Sequence, residues 1–170
     1  SDDDKGRYVY GFKVGSYDKT KPLVVDPAVL VYCGYIGGRV GDSSKSIAVD
    51  GDGNAYVTGS TYSNEATFPV TVGPDLIHNG DTDVFVAKVN ATGTTLEYCG
   101  YIGGSDHDLG YSIAVDGDGN AYVTGSTYSS EATFPVTVGP DLIHNGSGDV
   151  FVAKVNAAGT ALEYCGYIGG

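Results

Sequence analysis

The phrase Tyr-Cys-Gly-Tyr-Ile-Gly-Gly stands three times in the chain, starting at Tyr32, Tyr98 and Tyr164, so that Cys33, Cys99 and Cys165 fall 66 residues apart. A fixed period constrains the fold more than any local signal. Each unit must bury its apolar faces against a neighbouring unit of the same kind. Residues 39–104 and 105–170 align without gaps and are identical at 55 of 66 positions. Six of the eleven differences fall in the first seven positions, where residues 39–45 read RVGDSSK and residues 105–111 read SDHDLGY. The others are Asn64/Ser130, Asp81/Ser147, Thr82/Gly148, Thr92/Ala158 and Thr95/Ala161. Residues 1–30 are not a third copy.

Within one repeat the strands follow from residue type and spacing. Ser46–Asp50 is short and apolar, and the turn DGDGN follows, with Gly for positive φ and Asp and Asn to cap their own backbone. Ala55–Thr61 is the hairpin partner. A long connection over residues 62–82 contains two prolines, which exclude a central strand there. Asp83–Asn90 is the third strand and Thr95–Gly104 the fourth. Val84 and Val86 point one way; Phe85, Ala87 and Val89 point the other. Ile47 and Val49 likewise oppose Ala48. Both faces are apolar, as in a sheet covered on both sides. No segment has helical periodicity. The expectation is an all-β chain of four-stranded antiparallel, propeller-type blades in 66-residue tandem repeats. Two full repeats make an incomplete propeller.

Composition agrees. The chain of 170 residues has 27 Gly and 14 Tyr, neither Trp nor Met, and 41% hydrophobic residues, enough for a packed core. Its net charge of -12 argues against nucleic acid and anionic membranes as partners. No apolar run approaches the length of a membrane span, so membrane insertion is not expected, and no signal peptide is present. Three cysteines at one repeat phase read as semi-buried thiols acting as small hydrophobes, a bridge between subunits being the alternative.

The segments SIAVDGDGNAYVTGSTYSSEATFP and DVFVAKVNAAGTALEYCGYIGG closely resemble the SBBP repeat, a bacterial and archaeal seven-bladed β-propeller repeat. The resemblance covers residues 29–170, and residues 8–32 resemble the segment that precedes the first repeat in such proteins. It implies an extracellular or cell-surface setting and carries no catalytic residues onto this chain. Three segments follow: 1–30, an N-terminal β segment or degenerate blade; 31–104, the first repeat with a leading outer strand; and 105–170, the second repeat. Residues 31–38 then form the fourth strand of a blade whose first three are missing or replaced. YVYGFKV and PLVVD, in the first thirty residues, could supply two of them.

Several positions could carry chemistry. Asp50, Asp52 and Asn54, and their copies Asp116, Asp118 and Asn120, place three oxygen side chains at alternate positions, like the start of a calcium loop. Position twelve is Thr61 or Thr127, where such a loop needs a bidentate Glu, so a self-capping turn is the plainer reading. Calcium is the one cofactor the sequence leaves open. Asp106, His107 and Asp108 could hold a metal or form a solvated loop between blades. His78 and His144 recur at the repeat period, as a structural residue would. Phe68 and Phe134 could stack on a sugar or plug their own blades. Asn90 and Asn145 stand in glycosylation sequons.

There is no paired His and acid at a strand end, no nucleophile elbow and no phosphate loop, so the chain does not read as an enzyme. The expectation is a structural module that assembles with copies of itself through its blades, as a ring or a filament. The alternative is an adhesion propeller that binds glycans or cell-surface proteins through the loops 62–82 and 128–148.

Overall fold

The computed structural model describes Gly15, Ser16, Asp18, Thr20, Lys21 and residues 30–169. The chain divides into one unit over Ser1–Leu30 and another over Val31–Gly170. In the first, the Asp18 carboxylate accepts from the Thr20 N–H at 3.0 Å, a local turn. The stretches YVYGFKV and PLVVD lie outside the described residues.

The second unit contains eight strands and no helix among its described residues. Blade 1 consists of β1 (Asp42–Val49), β2 (Ala55–Thr61), β3 (Asp83–Val89) and β4 (Leu96–Ile102). Blade 2 consists of β5 (Asp108–Val115), β6 (Ala121–Thr127), β7 (Asp149–Val155) and β8 (Leu162–Ile168). Each blade is an antiparallel meander in chain order. The chain is therefore all-β, built of two open four-stranded sheets. Strands two to four lie where the alternation of side chains places them. The first strand begins four residues earlier than the sequence pattern indicates, at Asp42 and Asp108. These additional residues belong to the stretch in which the repeats diverge. A β-bulge at Ser44/Ser46 and at Gly110/Ser112 lets the strand continue through it. Asp42 is also tied down, accepting from Thr61 Oγ1 at 2.5 Å and from the Gly38 N–H at 2.7 Å.

The two sheets pack face to face, and one seam holds most of the core. Tyr56, Val84, Val86, Tyr98 and Ile102 of blade 1 meet Ile113, Ala121, Val123, Phe151, Ala153, Val155 and Tyr167 of blade 2. Because the blades are near-identical, each serves as the control for the other. Val84 and Ile102 are fully buried, whereas their copies Val150 and Ile168 are 46% and 53% exposed. On the opposite faces the order reverses: Ile113 is 6% exposed and its copy Ile47 is 64% exposed. Burial here is set by the neighbouring blade and not by the residue.

The long connection is also fixed by its apolar residues. Phe68 is 2% exposed, with its ring centroid 5.4 Å from that of Phe85 and 5.5 Å from that of Tyr101. His78 meets the Tyr101 ring edge-on, and His144 does the same on Tyr167. Phe68 and Phe134 therefore plug their own blades, and the two histidines are structural. Further on, residues 71–75 run along the outer edge of β4. Thr71 N–H donates to the Cys99 carbonyl, Cys99 N–H to Val72 and Tyr101 N–H to Asp75. Residues 137–141 cover β8 in the same way.

Equal substitutions at equivalent sites should therefore have unequal effects. Ile102→Ala is expected to cost about 2–5 kcal/mol in denaturant unfolding at low protein concentration, and Ile168→Ala less than half as much. Equal losses would mean that the seam does not form.

Candidate functional site

The face of blade 1 that looks away from blade 2 is apolar and only partly covered. Phe85, Ala87, Cys99 and Tyr101 are buried on it, while Ile47 and Val49 are exposed. Residues 31–38 lie across it. They form no strand, contrary to the expected fourth strand, and no strand pairs with them among the described residues. Even so, they sit where a fourth strand would sit. A Cβ on Gly93 would overlap the Tyr32 ring, as one on Gly159 would overlap the Tyr98 ring. Gly38 N–H donates to Asp42 Oδ2 at 2.7 Å, as Gly104 N–H donates to Asp108 Oδ2 at 2.6 Å. Ile36 packs against the buried cluster of blade 1. Between this segment and the sheet runs a groove of about 410 Å³, lined by Tyr32, Tyr35, Ile47, Val57, Val89 and Leu96 among others, with no acid, His, Lys or Arg in its lining.

The unpaired segment also corrects the reading of the cysteines. Cys99 and Cys165 are fully buried, and burial pushes both thiols up to about 12. Cys33 is exposed, and all three are free.

The polar end of the seam joins the two blades. Asp108 N–H donates to the Thr82 carbonyl at 2.7 Å. His107 Nδ1 lies 3.1 Å from Thr82 Oγ1, and His107 Nε2 lies 3.7 Å from Asp81 Oδ2. Asp81, Asp106 and His107 are the one group of acids and histidines among the described residues whose ligand atoms converge, all within 4.8 Å, and all three are exposed. Asp108 does not join them, contrary to the grouping in sequence. Its carboxylate is buried and accepts from Gly104 N–H and, at 3.0 Å, from Ser129 Oγ. Sequence reading missed Asp81 because its partners lie in the next repeat.

Asp83 is buried nearby. Its Oδ2 accepts from Asn79 N–H at 2.8 Å, and its Oδ1 has no partner. Burial pushes its carboxyl up to about 6, and the charges of Asp108 and Asp75 add to this, against the Asn79 hydrogen bond and His78. Burial also raises Asp108. A carboxyl whose folded pKa exceeds its unfolded value takes up a proton on folding. The stability that Asp83 contributes is fully present below about 4 and is lost as the pH rises through about 6.

The two DGDGN turns face each other across a polar cleft of about 230 Å³. Asp50 Oδ1 accepts from the Asp52 and Asn54 N–H groups at 3.0 and 2.9 Å. Its Oδ2 accepts from Asn54 Nδ2 at 2.8 Å and from the Tyr56 hydroxyl at 3.1 Å. Asp116 makes the same set with Asp118, Asn120 and Tyr122. The Asn54 hydrogen bond leads the causes that hold the Asp50 carboxyl down at about 2. Gly53 and Gly119, at φ of 88° and 84°, supply the left-handed step that closes each turn. Both oxygens of the leading Asp are thus engaged by its own chain, and Asn54 Oδ1 accepts from Ala91 N–H at 3.0 Å. The sequon nitrogens are engaged as well: Asn90 Nδ2 donates to Thr94 Oγ1 and Asn145 Nδ2 to Asp141 Oδ2.

Two measurements test these sites. The melting temperature should rise by a few degrees as the pH falls from 7 to 5, and Asp83→Asn should flatten that rise; an unchanged slope in the variant would remove Asp83 as its source. Millimolar calcium should leave the melting curve where a chelator leaves it, and a calcium-dependent increase would show that the turns bind the ion.

No curated protein matches the chain. The family model for the SBBP beta-propeller repeat matches residues 32–65 and 97–131, the segments that carry the leading outer-strand phrase, the DGDGN hairpin and, in each blade, the first two strands. These two matched segments, each opening one of the two four-stranded antiparallel sheets, are similar to the SBBP β-propeller repeat.

Proposed function

We propose that the chain is a non-enzymatic structural module that self-assembles blade to blade in an extracellular or cell-surface setting. The observation that carries this reading is the exposed outer face of blade 2. Val150, Val152, Tyr164 and Ile168 repeat the residues that blade 1 buries in the seam. The complementary face, around Ile47 and Val57, is the copy of the one blade 2 buries. A second copy can therefore approach this chain through the same pair of faces by which blade 1 and blade 2 meet. Its β8 then takes the seat that Tyr32–Gly38 holds in the isolated chain.

The energetics favour such contact. An apolar face on the order of 400 Å² is larger than most soluble monomers expose, and covering it is worth about 10 kcal/mol before the costs of association. The contact joins two different faces, so it closes into a ring or continues as a filament. The setting is supported by the secreted and surface proteins in which such repeats occur.

The second reading, adhesion through loops 62–82 and 128–148, draws on the exposed pairs Leu76–Ile77 and Leu142–Ile143 at the loop tips. Light scattering at micromolar concentration separates the two. Self-assembly predicts species above the 17.5 kDa chain mass, reduced to the monomer by Ile168→Lys. A folded monomer at all concentrations, binding on a glycan array, would replace self-assembly with adhesion.

A further inference from the structure

The eleven differences between the repeats are not scattered evenly over the fold. Several of them meet at the single seam the chain contains. Gly110 stands at the bulge of β5, with its backbone against blade 1. A Cβ there would lie 2.7 Å from the Gly59 carbonyl oxygen, 2.7 Å from Val84 Cγ1 and 2.9 Å from Thr58 Oγ1. Its N–H donates across the seam to Ser60 Oγ at 3.2 Å. Beside it, His107 reaches Thr82 and Asp81 of the preceding repeat.

At the same bulge in β1 stands Ser44. It pairs with Gly59 as Gly110 pairs with Gly125, and it is exposed. Ser44 carries the side chain for which the seam has no room. A second copy's blade 2 arriving on this face in the same register would meet the Ser44 Cβ with the carbonyl of its own Gly125 and the side chain of its own Val150. Backbone carbonyl oxygens inside a paired ladder do not swing aside, so the two sheets must separate locally and lose dispersion contacts around the bulge. The latch is lost too. The counterparts of Asp81, Thr82 and His107 at that contact are Ser147, Gly148 and Gly41, which offer neither the carboxylate–imidazole contact nor the hydroxyl–imidazole contact.

We propose that the residue at the inner-strand bulge decides which blade seams close: Gly110 admits blade 1 as the neighbour of blade 2, and Ser44 holds a second copy's blade 2 off the opposite face of blade 1. The part that concerns Ser44 rests on the self-assembly reading; the part that concerns Gly110 does not. Divergence of the repeats then sets an order of strength, with the seam inside the chain strong and the seam between copies weak and reversible.

Two substitutions in the full chain test it, with light scattering over a concentration series and thermal melting as readouts. Ser44→Gly should lower the concentration at which larger species form by about tenfold or more, while the melting temperature at low concentration stays at the wild-type value. Ser44→Thr should shift association the other way. An association curve for Ser44→Gly that superimposes on the wild type overturns the role of Ser44, as does a chain that stays monomeric in both forms. Gly110→Ser should lower the melting temperature by several degrees whether or not the chain self-associates. Gly110→Ala, which adds the Cβ alone, provides the smaller step should the serine variant not fold. Wild-type melting in both Gly110 variants overturns the role of Gly110.

Discussion

Face-to-face packing of one sheet on the next is the interaction on which the rest of this structure depends. A single four-stranded blade with two apolar faces has no dry interior of its own. Strand pairing satisfies its backbone, but water must be excluded by something outside the sheet. Here the second blade does this for one face of the first. The result is seen where identical residues differ in burial, as at Val84 against Val150. The same dependence explains why Asp83 and Asp108 are so fully desolvated. They stand at the polar end of a contact that is dry for apolar reasons, and the cost of their charge follows from that position.

Much of this was legible in the sequence. Alternation of apolar residues with period two located β2, β3 and β4 to within a residue or two, because those strands are the invariant part of the repeat. The two-sided apolar pattern indicated sheets covered on both faces, and within the chain the seam covers one face of each blade, leaving Ile47 and Val49 of blade 1 and Val150 and Ile168 of blade 2 exposed. The two histidines could be read as structural from their recurrence at the repeat period, whereas Phe68 is placed as a plug by its burial against Phe85 and Tyr101. What was not legible depended on contacts between repeats. The first seven residues of each repeat look like a loop, yet four of them are strand, since the bulge that carries the strand through them leaves no composition signal. Asp81 and His107 are 26 residues apart in different repeats, and only the seam brings them together. The leading phrase at residues 31–38 has the sequence of a strand and the seat of a strand. Among the described residues no strand pairs with it.

The DGDGN turns show what the leading carboxylate does in the fold. Three oxygen-bearing side chains in five residues invite a cation. In the fold the leading carboxylate instead serves two backbone donors, one amide and one phenol. Hydrogen bonds from its own hairpin stabilise its charge and favour the ionised form. The one Tyr56 hydroxyl proton is shared between Asp50 Oδ2 and the Gly119 carbonyl at 3.3 Å, so the turn of one blade touches the turn of the next.

Tandem repeats this alike carry a hazard during folding, because any strand of one copy is a competent partner for the other. The cover over the outer edges of β4 and β8 bears on this hazard. Residues 71–75 and 137–141 reach their strands through a plug on their own sheet, so each blade caps its own edge from within one repeat. With that rim occupied, the main-chain donors of the fourth strand are not available to template a stranger's backbone. The fourth-strand rim of each blade therefore cannot zip sideways, which removes one of the two sheet edges at which a composition rich in Val, Tyr and Gly would otherwise aggregate.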